Sequence, residues 1–219
     1  MSKFLKGLTR PLPPAKMLSI NTFLSGCYYE PAPELEEWMR KCFINDDGPL
    51  VNVRHQHLQE ATIGCVWTNK EMKRGGQTYA AMCEMPMAQG ILNRWRVEHL
   101  LNSWFGSVPD FVITFDAAIN NAVSDATFCA ICEHELCHAG QAIDRETGEP
   151  KFKKSGDPVF CMVSHEIEEF VCIPERYGVQ NSAGAAVKIF EAMKRGPTIA
   201  QADIDFACGS CGQRLRMVA

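Results

Sequence analysis

His134-Glu135-Leu136-Cys137-His138 sets two imidazoles four residues apart with a carboxylate beside the first. On a helix, residues at this spacing share one face, so both histidines can grip a single Zn²⁺ while the glutamate acts as general base on a water at the metal. Ser124 and Asp125 are good N-caps, no Gly or Pro intervenes before Gly140, and Phe128, Ile131, Cys132, Leu136 and Ala139 recur at helical spacing. The pattern predicts a helix over 125–143. Glu135 falls inside its apolar stripe, where a carboxylate without a partner is costly to bury. The bland alternative is a surface helix whose His and Glu are simply solvated.

A catalytic zinc usually takes three protein ligands and leaves a fourth position for water, so a third ligand must come from elsewhere. Asp157-Pro158 reads as an N-cap followed by Pro at the first helical position. It predicts a second helix running to about residue 170. At about 100° per residue, Phe160, Val163, Ile167, Phe170 and Val171 form one stripe, with His165 and Glu169 together on the opposite side. His165 is the expected third ligand, and Glu169 the carboxylate that orients a ligand imidazole. Glu169 or Glu166 could itself be the ligand, with His165 a neighbouring donor. Glu168 points about 100° away from Glu169 and is expected in solvent.

The H-E-L-C-H segment, the hairpin at Thr147-Gly148-Glu149-Pro150, His165-Glu166-Ile167-Glu168-Glu169-Phe170 and Glu175-Arg176-Tyr177-Gly178 together resemble the phage metallopeptidases, zincin-like proteins carried by phages and prophages. Trp67-Thr68-Asn69, Trp104-Phe105-Gly106 and Pro109 through Phe115 resemble the same family, so the likeness runs from about residue 56 to 178. Pro174 departs from the uninterrupted helix expected there. The resemblance implies a zinc peptidase in the host cell cytoplasm acting on a protein or peptide substrate. A sheet edge beside the active helix would pair with an extended substrate strand. Zinc would be held by His134, His138 and His165, and Glu135 would carry a proton from the attacking water to the leaving amine. Tyr177 is the candidate oxyanion donor, its alternative being a tyrosine packed at a helix end before Gly178.

The rest of the chain must position these groups. At 219 residues and 46% hydrophobic it can bury a core, and an α+β class is expected. The predicted domain is small and zincin-like, with a short antiparallel or mixed sheet packed on the motif helix and on the third-ligand helix. Residues 1–55 read as an N-terminal extension or cap with an amphipathic helix at 33–42, residues 56–180 as the catalytic domain, and residues 181–219 as a C-terminal helix and tail. Strands are predicted at 62–69 and 78–85, forming an antiparallel pair through a polar connection, with a helix at 91–104 and a strand at 111–115. His55 and His57 alternate as on an extended segment, and these two and His99 read as structural or surface residues.

Eleven cysteines, an odd number with no secreted-domain spacing and no signal-peptide-like run before them, predict a reducing compartment. Cys65, Cys83 and Cys137 are expected as small core residues, and Cys129 and Cys132 as packing on the motif helix. Cys208-Gly209-Ser210-Cys211 is half of a zinc knuckle and marks a possible second metal. No uninterrupted apolar run is long enough to span a bilayer. A net charge of −4 argues against strong nonspecific nucleic-acid binding. Two competing readings are a catalytically silent zincin-fold binding protein and a nucleic-acid-associated protein organised by Cys208 and Cys211.

Overall fold

Phe111-Val112-Ile113-Thr114-Phe115-Asp116 is buried at every position, the signature of a strand covered on both faces. A computed structural model of the chain describes residues 3–19, 28–74, 77–165 and 185–203. Strand β1 (Tyr29–Pro31) leads into helix α1 (Pro33–Met39), which opens on Pro and continues as a π turn to Ile44. A 3-10 turn, Val53–Gln59, precedes β2 (Ile63–Thr68). The hairpin of β3 (Met72–Arg74) and β4 (Gln77–Tyr79) joins β2 to β5 (Ala81–Glu84). Helix α2 (Ile91–Phe105) returns the chain to β6 (Phe111–Asp116), after which come α3 (Ala117–Ala122) and α4 (Asp125–His138). Strands β7 (Ala139–Gln141) and β8 (Phe160–Met162) form a separate antiparallel pair, and α5 (Ala185–Arg195) follows.

The main sheet is mixed, in the order β1-β2-β6-β5, and the fold is α+β as expected. β2 and β6 run parallel, whereas β1 and β5 are antiparallel to their neighbours. The expected antiparallel pairing of 62–69 with 78–85 is therefore corrected: β6 lies between β2 and β5. The α2 crossover makes this possible, since a parallel pair needs a long connection whereas a hairpin does not.

Alternation along the strands sorts two cores. Cys65 and Trp67 of β2 and Phe111, Ile113 and Phe115 of β6 join Phe128, Ile131 and Leu136 of α4 on one face, together with Leu35, Trp38 and Met39 of α1. Val66 and Val112 point the other way, against Leu101 of α2. Gly64 faces α2 as well. A Cβ there would sit 2.7 Å from the Phe105 ring, so the close approach of α2 to the sheet requires glycine. Leu5 and Met17 enter the main core from the N-terminal stretch.

The motif helix begins where expected, Ser124 Oγ accepting the Thr127 N–H. It stops five residues early, at His138. Ala139 turns extended, and the His138 carbonyl accepts from the Val163 N–H instead of from the next helical turn. The described part of the predicted third-ligand helix is corrected too, because Phe160–Met162 is strand β8. Asp157 caps no helix. Its carbonyl accepts the Lys153 N–H and its carboxylate the Ser155 hydroxyl, closing a turn at the tip of the β7–β8 arm. Val159 to Val163 is as apolar as a short helix or a strand requires, and pairing with β7 decides between them.

Arg10 ties the N-terminal stretch to the motif helix. Its guanidinium donates to the Asn120 and Val123 carbonyls at the end of α3, lies 3.1 Å from Asp125 in the first turn of α4, and covers the Phe128 ring at 4.9 Å. Arg10→Ala is expected to lower the unfolding free energy by about 2–4 kcal/mol in chemical denaturation. Arg10→Lys should recover only part of this, because an ammonium cannot span all three acceptors. Unchanged midpoints in both variants would show that the anchor contributes nothing.

Candidate metal centre

Helix α4 presents His134 and His138 on one face, and the chain leaving β8 brings His165 to them. His134 Nε2 lies 3.2 Å from His138 Nε2 and 3.1 Å from His165 Nε2, and the three ligand atoms fall within 4.8 Å of one another. A tetrahedral ion with metal–nitrogen distances near 2.0–2.1 Å separates its ligand atoms by about 3.3 Å, so the three nitrogens fit around a metal of zinc's size. The donor set, three imidazole nitrogens, suits a first-row transition metal such as zinc, copper, iron or nickel.

The tautomers agree with this. His138 Nδ1 lies 2.7 Å from the Val163 carbonyl oxygen, and because a carbonyl can only accept, Nδ1 carries the proton and Nε2 keeps its lone pair for a metal. Burial, helped by the two neighbouring imidazoles, pushes His134 down to about 4. Burial also lowers His138, with His165 adding to it and the Val163 bond opposing it. Both rings are thus neutral at pH 7, the form that a metal requires.

Strand pairing sets the position of His165. Register places Gly140 opposite Cys161 and Ala139 opposite Met162, so Val163 and then His165 return over the end of α4. Gly140 is the tight point. A Cβ there would overlap Cγ2 of Val163, whose carbonyl holds His138. His57 reinforces the same junction, its Nε2 donating to the Ala139 carbonyl at 2.8 Å.

Glu135 is fully buried. Its Oε2 accepts the Cys83 N–H at 2.7 Å, which ties α4 to β5 at the edge of the sheet. It is not among the side chains lining the cleft of about 820 Å³ on whose wall the three histidines stand.

His55 and His57 line that cleft as well, so five of the six histidines gather around it. They sit on the 3-10 turn rather than on an extended segment, which corrects their expected conformation. His55 is buried, and desolvation, with His57 and Arg54 adding to it, pushes it down to about 4. His99 is on the exposed side of α2. Cys65, Cys83, Cys129 and Cys132 are core residues, but Cys137 is exposed on the cleft wall, contrary to expectation, because the turn of α4 that carries it faces the cleft. Glu166, Glu168, Glu169, Tyr177, Cys208 and Cys211 lie outside the described residues.

The family described as Putative phage metallopeptidase matches residues 36–194, well over half of the chain. The chain belongs to this family. No curated protein and no solved structure matches it. The family's description is of a metal-dependent peptidase, and this phage metallopeptidase chain has a histidine triad that could bind the metal. The match also reaches 20 residues further toward the N-terminus than the resemblance seen in the motifs, and takes in part of α1. Among the described residues, no helix is long and apolar enough to cross a membrane.

Sequence reasoning missed the backbone and steric partners of the site. The Val163 carbonyl and the Cys83 N–H have no sequence signal, and the glycine two residues after His138 reads from sequence as a helix C-cap as readily as a close approach. Gly140→Ala is expected to weaken zinc binding roughly 10- to 100-fold by competitive chelator titration. Adding Val163→Ala should restore most of the loss, since it removes the overlap and keeps the carbonyl. Full affinity in Gly140→Ala alone would mean that the Val163 side chain swings aside without moving its backbone.

Proposed function

We propose that this protein is a zinc-dependent peptidase of zincin-like type, with His134, His138 and His165 as ligands. The observation that carries the reading is that the Nε2 atoms of His138 of α4 and His165 of the segment after β8 lie 3.2 and 3.1 Å from that of His134. A zinc ion bound there would supply Lewis acidity toward a peptide carbonyl and a water. Glu135 is the group proposed to take a proton from the attacking water and return it to the leaving amine. Its place beside His134 in the motif supports this, and its bond to the Cys83 N–H sets it against β5, the outermost described strand of the sheet. His134 and His138, neutral at pH 7, would stay unprotonated through the cycle. Glu169 as an orienting carboxylate, Tyr177 as an oxyanion donor and Cys208 with Cys211 as a second metal site belong to the same proposal.

The same bond favours a second reading. A wholly buried carboxylate that accepts a backbone N–H can be a clamp between helix and sheet, with the metal structural and the protein a zincin-fold binding protein. Glu135→Gln separates the two, since its amide oxygen can still accept from Cys83. In the peptidase, this variant should retain one zinc per chain and lose cleavage of a casein or peptide substrate by at least a hundredfold. Unchanged cleavage would rule out Glu135 as the base. His165→Ala should lower zinc affinity more than tenfold while Glu168→Ala leaves it unaltered, as measured by metal analysis after dialysis. Equal zinc in wild type and His165→Ala would remove His165 from the ligand set.

A further inference from the structure

The cleft beside the three imidazoles has an uneven chemical lining. Ile143 and Pro150 come from the arm between β7 and β8, Val163 from the end of β8, and Ile189 from α5. Ile143, Val163 and Ile189 are 61%, 41% and 49% exposed. Single exposed aliphatic residues on a surface need no explanation, but four from three separate elements converging on one concave wall do. Among the described residues lining the cleft there is no carboxylate, and Arg54 brings a guanidinium. At about 820 Å³ the cleft falls within the range of about 300–1,000 Å³ typical of small-ligand sites.

We infer that this wall is a specificity subsite that takes an apolar side chain, of leucine or phenylalanine type, from the residue next to the scissile bond, with Ile143 and Ile189 as its opposing jaws. The inference rests on the peptidase reading for what enters the cleft, and on the lining alone for which side chains are accepted. An aliphatic group seated there covers isoleucine surface that water otherwise wets. A lysine or arginine side chain would lose hydration against this apolar wall and meet no carboxylate among the described residues of the lining. One methylene in an apolar pocket changes specificity by about tenfold or more, so the discrimination between leucine and lysine should be at least that large.

The test uses the zinc-loaded full-length chain and two readouts. Fluorogenic peptides differing only in leucine or lysine beside the scissile bond should differ in kcat/KM by at least about tenfold. Leucine hydroxamate should also bind more tightly than lysine hydroxamate by calorimetry, in the same direction. Ile143→Asp and Ile189→Asp, both at half-exposed positions, should lower both ratios at unchanged zinc content. Equal treatment of the two side chains, or ratios unmoved in both variants, would overturn the subsite and leave the peptidase reading intact. Preferential binding of leucine hydroxamate that is lost in the Asp variants, with no peptide cleaved, would support the subsite and sink the peptidase reading.

Discussion

The bond from His138 Nδ1 to the Val163 carbonyl is the contact on which the metal centre depends. It fixes the tautomer of a candidate ligand, and it requires the chain leaving β8 to lie across the end of α4. That path carries His165 to within 3.1 Å of His134. The β7–β8 pairing, the bare Cα of Gly140 and the His57 bond to Ala139 all serve the same crossing. A helix continued to residue 143 would have consumed the backbone groups that instead build β7.

The core works toward the same end from the opposite side. α4 is held against the main sheet by Phe128, Ile131 and Leu136, with Trp67 and Phe115 packed on Phe128. Arg10 fastens its first turn and the Cys83 N–H its Glu135. The helix is therefore held by packing and hydrogen bonds that need no metal, and it carries two of the three histidines on a packed element. His134 and His138, both lowered by burial, are tolerable side by side without a metal because neither needs to carry charge.

Some of this was readable in the residues. The Ser124 cap, the 3.6-residue spacing of Phe128, Ile131 and Leu136 and the unbroken run from Phe111 to Phe115 are local signals, and α4 and β6 follow them closely. The strand at Ile63–Thr68 and the helix at Ile91–Phe105 were legible for the same reason. Val159 to Val163 was not, since five apolar residues fit either period and only β7 across the gap selects the strand. Nor was the sheet order, because β6 reaches its place between β2 and β5 through a crossover whose destination no local pattern encodes.

Ligand types and the four-residue step from His134 to His138 were decided within one helical segment, where side-chain direction follows from backbone geometry alone. Family membership is also carried by the sequence, over residues 36–194. Bringing in His165 across 31 residues was a matter of tertiary structure. The carbonyl that sets the His138 tautomer, the N–H that holds Glu135 and the apolar wall of the cleft were as well. Those partners are backbone atoms and surfaces from separate elements, and their meeting depends on strand register and packing rather than on the identity of any one residue.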